Sequence, residues 1–223
     1  MDYLLYNLMF DDKDFKDGRI AAAQMMDKLC HICGYSGYSD LSQIIGKHIK
    51  DFKRDQLDGR TAREVLDGIS AACGGFWTVQ GDASGGERSG TLTFIPIGGS
   101  SVGAVFTLDK YSPVIMGASR EFRGVRLTNG GKSFTAGGGT TVYNVLQADT
   151  EYASADLAGE IYKRISGYTM KGWECSKAVL DTTFPVPSSL VSVSGRSKLY
   201  VNFCDISLTS SGIYAAMGCS VSA

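Results

Sequence analysis

Two cysteines and a histidine lie close together at Cys30, His31 and Cys33, and these residue types are sound zinc ligands. A structural zinc site needs four ligands, however, and the sequence has neither a second C-x-x-C pair nor an H-x-x-x-H pair. The only other histidine is His48. Because Cys33 also falls on the apolar stripe of a predicted helix, we interpret both cysteines as core residues and predict no metal site.

The segment Gly130-Gly131-Lys132-Ser133 matches the end of a phosphate-binding loop. The full motif requires a glycine five residues before Gly131, where Arg126 stands, and a helix afterwards, where the chain continues with FTAGGGTT. Both requirements fail. We therefore interpret this segment as a β-turn and predict no nucleotide cofactor.

Hydrolytic chemistry needs either a pair of carboxylates or a nucleophile beside a histidine. Both histidines, His31 and His48, lie on predicted apolar helix faces, and no glycine-flanked serine or cysteine elbow stands nearby. The carboxylates of the second half are scattered without a spacing typical of an acid and base couple: Asp109, Glu121, Asp149, Glu151, Asp156, Glu160 and Glu174. We predict solvated surface charge here and no catalytic residue.

Five aromatic residues are of the types that stack on sugar rings: Tyr35, Tyr38, Trp77, Tyr168 and Trp173. The same residue types also fill protein cores and protein interfaces. A sugar-stacking surface and a packing role both remain open from the sequence.

Composition limits the functions that these residues can serve. The 223 residues carry a formal net charge of -1, which gives no global electrostatic reason to expect nucleic acid or an anionic membrane as partner. Six cysteines show no paired framework, so we expect reduced thiols. The apolar start MDYLLYNLMF lacks a basic flank and is too short to span a bilayer, which argues against a signal peptide and against membrane insertion.

The N-terminal elements follow from helical periodicity. Tyr3 to Phe10 fits either a strand or a short helix. From about Arg19 the apolar residues recur at spacings of three and four, which predicts a helix that stops at Gly34. A further short helix is predicted from Ser39 or Asp40 to Phe52, and Lys50 to Arg60 reads as a charged, solvated connection.

The stretch from Gly59 to Ile97 predicts one helix followed by a hairpin. Thr61 and Glu64 have the spacing of a capping box, and a glycine pair ends the helix. Apolar residues form a single stripe along it: Ala62, Val65, Leu66, Ile69, Ala72 and Cys73. The strands Phe76 to Val79 and Thr91 to Ile95 flank a polar tip, and Pro96 closes the second strand. We expect the aromatic residues of this hairpin, Phe76, Trp77 and Phe94, to pack in the core.

After Ile97 the rhythm is that of antiparallel strands, with turn residues every ~8–12 positions. Asn129-Gly130 is the strongest hairpin signal, and a helix from Ser154 to Ser166, ended by Gly167, places Glu160 four residues before Arg164 in the favourable order for an ion pair. The predicted strands are Val102 to Leu108, Phe122 to Thr128, Lys132 to Ala136, Val142 to Leu146, Lys171 to Leu180, Leu190 to Val193, Leu199 to Asp205 and Ile213 to Cys219.

These elements predict an α+β fold in which N-terminal helices and a β-hairpin pack beside a β-rich, barrel-like part with one inserted helix. The shift in composition near Gly98 divides the chain into residues 1–97, with the helices and the hairpin, and residues 98–223, with the β-rich part and the helix 154–166.

A T-x-R-x-[VI]-L helix at Thr61, Arg63, Val65 and Leu66 is followed by a G-x-F/W strand at Gly75 and Trp77, and then by a G-x-L-x-F/L strand at Gly90, Leu92 and Phe94. In this order the motifs resemble those of the baseplate hub or tail-tip proteins of phages and prophages of Gram-positive bacteria. The helix AAAQMMDKLCHICGYS and the L-A-x-x-I-x-x-R helix agree as well, the latter at Leu157, Ala158, Ile161 and Arg164. The likeness covers most of Ala21 to Cys175.

Two departures from the family pattern limit how far the resemblance extends along the chain. The family has a G-D-x-V strand start after the last helix, where this chain has SSLVSVSGRSKLYV. It also has a β-barrel domain upstream of the first helix, which this sequence lacks. We therefore expect either a short paralogue or one domain of a longer protein.

The resemblance implies a non-enzymatic virion structural protein of the phage tail, assembled in the host cytoplasm, that works through protein-protein interaction. It implies other tail and baseplate proteins as partners and a homo-oligomer, with a trimer as the family's form. An alternative is a tail component that binds cell-wall carbohydrate or cleaves peptidoglycan. A third, a small secreted adhesin, is disfavoured by the missing signal peptide and the reduced cysteines.

Overall fold

The computed structural model describes residues 8–39, 48–81, 90–98, 105–108, 112–139, 144–180, 190–192 and 199–220. Within these ranges the chain forms three α-helices and fifteen β-strands, which confirms the predicted mixed α+β class. The helices are α1 (Ala22–Cys33), α2 (Ala62–Cys73) and α3 (Ala155–Ile165).

The strands are β1 (Arg19–Ala21), β2 (Gly37–Tyr38), β3 (Asp51–Lys53), β4 (Gly75–Gly81), β5 (Gly90–Pro96), β6 (Val105–Thr107), β7 (Val114–Glu121), β8 (Gly124–Asn129), β9 (Lys132–Gly137), β10 (Val145–Asp149), β11 (Thr169–Leu180), β12 (Leu190–Ser192), β13 (Leu199–Tyr200), β14 (Phe203–Thr209) and β15 (Gly212–Cys219). Short 3₁₀ helices lie at Asp12–Asp14 and Arg54–Gln56.

The chain divides into two compact units. Unit 1 takes its described residues from Met1–Ile97, Gly124–Gly138 and Leu146–Arg164, and unit 2 takes the rest. Nearly all of α3 therefore belongs to unit 1, although the sequence analysis grouped it with residues 98–223. A separation into domains at residue 97 stays a prediction.

Helix α2 begins and ends where the sequence predicts, whereas α1 ends at the predicted glycine but begins at Ala22, because Arg19–Ala21 forms strand β1. Thr61 accepts a hydrogen bond from the Glu64 amide while the Glu64 carboxylate accepts one from the Thr61 amide, so the capping box closes in both directions. Gly34 (φ 76°) and Gly74 (φ 59°) end the two helices in the left-handed conformation. The predicted apolar stripe of α2 is buried along its whole length.

The predicted hairpin of unit 1 is also present. Strands β4 and β5 pair antiparallel from Gly75 opposite Pro96 to Gly81 opposite Gly90, and β2 adds to β5 in parallel. The polar tip of this hairpin lies outside the described residues. Strands β8 and β9 form the second predicted hairpin, in which Gly130 and Gly131, both at positive φ, make the two-residue turn between Asn129 and Lys132. The segment that imitates a phosphate-binding loop is therefore a β-turn.

Unit 2 is built on an antiparallel sheet in the order β14-β15-β11-β7, beside a smaller sheet in the order β13-β12-β6. Its core is one cluster of buried residues: Leu108, Trp173, Cys175, Ala178, Val191, Leu199, Val201, Ala215, Met217 and Cys219. The β-rich character predicted for this region is confirmed, and the sheets of the described residues are open, none of them closed into a barrel.

Other predictions about local structure are wrong or incomplete. The helix predicted up to Phe52 is not formed at its end, because Asp51–Lys53 is the strand β3, in which Phe52 pairs with Ile20; residues 40–47 of that prediction lie outside the described part. The connection Lys50 to Arg60 is only partly solvated, since Phe52 and Leu57 are fully buried. Strand β7 was not predicted at all.

Candidate functional site

The cysteine and histidine cluster of α1 does not converge. Cys30 and Cys33 are buried, whereas His31 is exposed, because neighbouring residues of a helix point about 100° apart. The prediction of His31 on an apolar face is wrong. Burial, together with the neighbouring Cys33, raises the pKa of Cys30 to about 11, so this thiol stays protonated at neutral pH. Nowhere in the described ranges do three metal-ligating side chains come together.

Three of the scattered carboxylates each lie beside a separate basic side chain. Glu151 pairs with Arg60 at 2.8 Å, Glu121 pairs with Arg123 at 3.3 Å and Glu160 pairs with Lys163 at 3.4 Å. Asp109 lies outside the described residues. The structure thus gives these carboxylates surface roles of the kind that the sequence predicts.

One concave feature of unit 1 is a groove of about 670 Å³ along helix α2, which we call the α2 groove. Its lining residues come from α2, from the start of β4, from the end of the hairpin and from β10. They are Arg63, Asp67, Ser70, Ala71, Gly74, Gly75, Phe76, Trp77, Ile97, Leu146, Gln147 and Ala148. This volume lies within the usual range of ligand sites, about 300–1,000 Å³.

The residues of α2 that line the groove form a second stripe along the helix, distinct from the buried apolar stripe. Arg63, Asp67, Ser70, Ala71 and Gly74 follow one another at helical spacings and so share one side of the helix. The stripe mixes charged, polar and small residues. Because a search for apolar periodicity detects only the buried stripe, the sequence analysis missed this one.

The aromatic residues of the hairpin divide between core and groove. Phe94 is buried, as expected, with only 5 % of its surface exposed, but Phe76 and Trp77 are half-buried and line the groove. The expectation of core packing is therefore right for Phe94 and wrong for the other two. The indole N–H of Trp77 donates a 2.7 Å hydrogen bond to the Asp67 carboxylate, which fixes the orientation of the ring against α2.

A buried hydroxyl belongs to the lining of the groove. Ser70 is only 5 % exposed, and its Oγ has no hydrogen-bond partner among the described residues. Burying a hydroxyl without a partner costs roughly 1–3 kcal/mol. A ligand in the groove that bonds to this hydroxyl recovers that cost.

The C-terminal end of α2 is held by a residue from α3. The Arg164 guanidinium donates hydrogen bonds to the carbonyls of Cys73 (2.6 Å), Gly74 (3.3 Å) and Ile97 (2.9 Å). Burial lowers the pKa of Arg164 and raises that of Cys73 to about 12. Since Gly74 and Ile97 both line the groove, Arg164 fixes the backbone at one end of it.

The arrangement suits binding rather than bond cleavage. The groove offers two aromatic side chains, aliphatic groups, one buried hydroxyl and the exposed side chains of Arg63 and Asp67 at its rim. The Asp67 carboxylate already accepts a hydrogen bond from the Trp77 indole. Trp173, another predicted candidate for sugar stacking, is instead buried in the core of unit 2.

No protein-family model and no curated protein matches the sequence. Among solved structures, the chain is similar to the 43 kDa tail protein of prophage MuSo2 from Shewanella oneidensis, at 18% identity and a TM-score of 0.49 over 93% of this chain and 66% of that one. A tail protein from Neisseria meningitidis MC58 matches at 12% identity and a TM-score of 0.49, over 90% and 66%. The phage P2 baseplate in its activated conformation with Ca matches at 13% identity and a TM-score of 0.25, over 82% and 59%.

The solved structures that the chain resembles are thus phage and prophage tail and baseplate proteins, the class that the sequence resemblance names. A link to phages of Gram-positive bacteria in particular stays a prediction. The chain spans 66% of the length of each of the two tail proteins, just under two thirds. In the described part of the chain, no helix combines the length and the apolar character needed to cross a bilayer.

Proposed function

We propose that this chain is a non-enzymatic structural component of a phage or prophage tail, located in the tail tip or baseplate hub of the virion. One observation carries the proposal. The segments that hold the sequence resemblance, Gly59 to Ile97 and Leu157 to Arg164, join in unit 1 through the hydrogen bonds of Arg164 to Cys73, Gly74 and Ile97.

This contact gives the motif residue Arg164 a physical reason to be an arginine. Taking a guanidinium out of water is costly, and several well-placed acceptors are needed to offset that cost. Three carbonyl oxygens from two ends of the Gly59 to Ile97 segment supply them. The N–H donors of a lysine all lie on one nitrogen, so a lysine cannot reach the three carbonyls that the planar guanidinium of arginine reaches. The motifs therefore belong to one folded unit, which supports the resemblance beyond the match of letters.

The proposed mechanism is geometric. As a tail component, the protein presents fixed surfaces to the tail tube on one side and to the fibre, lysin or spike on the other. We propose that it does so as a homo-oligomer, with a trimer as the form that the resemblance implies, and that it is assembled in the host cytoplasm.

A second candidate is a tail component that binds cell-wall carbohydrate. The specific observation in its favour is the half-buried Trp77 in the α2 groove, with its ring held by Asp67. Aromatic side chains held in this way stack well on the apolar faces of sugars. This candidate differs from the first in a measurable way, because it requires saturable binding to purified peptidoglycan.

The deciding experiment is an in-frame deletion of the gene in the phage that carries it. Electron microscopy of the induced lysate should then show particles without finished tails, and a plasmid copy of the gene should restore them. Complete, infectious tails that lack the protein would overturn the proposal. In parallel, the purified protein is incubated with peptidoglycan; release of soluble fragments that is lost on a single carboxylate substitution would overturn the non-enzymatic part.

A further inference from the structure

We propose that the α2 groove is a docking site for an extended polypeptide segment of a neighbouring tail protein, which adds as a strand between β4 and β10. Each of these two strands is the outer strand of its sheet, in the orders β2-β5-β4 and β10-β8-β9. Among the described residues, each is bonded to a strand on one side only. Their other sides carry main-chain N–H and C=O groups in the spacing that another strand pairs with.

We infer from the lining residues that the groove runs along the edges of these strands. It is touched by three consecutive residues of β4 (Gly75, Phe76 and Trp77) and by three consecutive residues of β10 (Leu146, Gln147 and Ala148). Successive side chains of a strand point to opposite faces of the sheet. A cleft that contacts consecutive residues therefore meets the strand at its edge, where the main-chain groups lie, and not on one face.

The length of the groove fits a short strand. Its α2 stripe runs from Arg63 to Gly74, eleven residues apart, which corresponds to roughly 16 Å at 1.5 Å per residue of helix. An extended segment of about five residues has the same length at ~3.3 Å per residue. Five residues is also a common length for a strand.

The chemistry of the groove defines the segment that fits it. Small residues, Ala71 and Gly74, line the groove together with the apolar side chains of Phe76, Trp77 and Leu146, so we expect the inward side chains of the segment to be apolar. The buried Ser70 hydroxyl has no hydrogen-bond partner among the described residues, and a main-chain N–H or C=O group of the segment would supply one. Charged groups are confined to the exposed rim, at Arg63 and Asp67.

This mode of recognition differs from sugar stacking in its source of affinity. In strand addition the main-chain hydrogen bonds hold the segment, and the pockets for alternate side chains select its sequence. The class of ligand, an uncharged extended polypeptide, follows from the groove itself. That the segment comes from a neighbouring tail protein rests on the proposed function.

The test begins with a library of random heptapeptides that is selected for binding to the full chain and, in parallel, to the variant Ala71→Arg. In this variant a long side chain occupies the groove, and arginine has nearly the same helix propensity as alanine. Enriched peptides are synthesised with a dye, and their binding is measured by fluorescence polarisation. We expect uncharged sequences with apolar residues at alternate positions that bind at least tenfold more weakly to Ala71→Arg. The matched control is Thr135→Arg, an exposed position on the outer strand β9 of the same sheet as β10, which should leave binding unchanged.

Main-chain recognition is tested with the same peptides N-methylated at alternate amides, which removes the ladder hydrogen bonds and keeps the side chains. Loss of binding on N-methylation supports strand addition. Equal binding of the methylated peptides, equal binding to Ala71→Arg, or no enrichment over the selection on Ala71→Arg would each overturn the proposal. Failed binding together with lost tails in the deletion strain would overturn the docking site alone, whereas specific binding together with normal tails would overturn the proposed function and the source of the segment.

Discussion

The guanidinium of Arg164 donates a 2.6 Å hydrogen bond to the carbonyl oxygen of Cys73, across 91 positions of the chain. Cys73 is the last residue of α2, and the last carbonyls of a helix have no partner within it. A positive charge at this end also interacts favourably with the helix dipole. Arg164 therefore caps α2 from another helix and, through Ile97, ties the end of the β4–β5 hairpin to the same point.

Replacing Arg164 by methionine should lower the free energy of unfolding by about 2 kcal/mol, because the variant keeps the aliphatic packing but leaves the three carbonyls without their charged donor. Urea denaturation of the full chain measures this. The matched control is Lys163→Met, one residue earlier on the exposed side of α3, where the ion pair with Glu160 contributes little. Equal effects of the two variants would refute the capping role.

Replacing Thr61 by alanine should cost about 1 kcal/mol, because the Glu64 amide then loses the hydroxyl that caps the first turn of α2. Urea denaturation again gives the change. Thr61→Ser is the control, since serine keeps the oxygen at the cap and should lie close to the wild type. A Thr61→Ser variant as unstable as Thr61→Ala would show that the methyl group, and not the cap, is what matters there.

The helices could be predicted because residues at or near each helix end determine where the helix begins and stops. Glycines at 34, 74 and 167 stop the three helices, and each carries positive φ in the structure. The capping box at Thr61 involves residues only three positions apart. Signals of this kind survive in any tertiary context, which is why the bounds of α1, α2 and α3 agree with the sequence prediction to within a few residues.

The strands that were predicted wrongly or not at all form because of their pairing with distant strands. Phe52 fits a helical stripe by spacing, yet it lies in β3 because pairing with β1 buries it completely. Strand β7 has the uncharged, small-residue centre Gly117-Ala118-Ser119, and it becomes a strand only through its pairing with β11. No local pattern in the sequence contains either pairing.

The candidate site was the least predictable part for the same reason. Glu160 and Arg164 stand in the favourable i, i+4 order, but nothing in that spacing indicates the hydrogen bonds of Arg164 to carbonyls 67 to 91 positions away. Trp77 reads as a core residue in its own hairpin and becomes a groove residue only because β10, far along the chain, lies opposite. A mixed polar stripe such as that of Arg63, Asp67 and Ser70 looks like an ordinary solvated helix face until a second element approaches it.

Replacing Gly75 by alanine should destabilise the protein by about 1–3 kcal/mol, because the added Cβ would lie 2.2 Å from the carbonyl oxygen of Ile95, a backbone atom that cannot move aside without breaking the ladder of β4 and β5. Thermal or urea unfolding measures the loss. Gly138→Ala is the matched control, since nothing lies within 4 Å of a Cβ at that position, and a change within about 0.5 kcal/mol is expected. Similar losses in both variants would mean that the close approach to Ile95 does not cause the loss at Gly75.

The buried thiols should make stability fall above pH 9. Burial raises the pKa of Cys30 to about 11 and that of Cys73 to about 12, against an ordinary value of 9.0. Between pH 9 and those values the unfolded chain has released the thiol protons while the folded chain still holds them, so rising pH favours the unfolded state by up to about 1.4 kcal/mol per pH unit for each thiol. Below pH 9 the two thiols contribute no pH dependence.

Substitution isolates this contribution. In Cys73→Ala the fall of the unfolding free energy between pH 9 and 10.5 should be shallower than in the wild type, even though the variant starts from a lower stability because a buried side chain has been cut back. The same protonation slows alkylation by iodoacetamide at pH 8 in the folded protein relative to 8 M urea, because the thiolate is the reactive form. The raised pKa of each thiol predicts a rate about a hundredfold lower for Cys30 and about a thousandfold lower for Cys73. A folded protein that is alkylated at Cys30 as fast as the unfolded chain, with an unchanged pH slope in Cys73→Ala, would contradict the burial of both thiols and with it the packing of α1 and α2 described above.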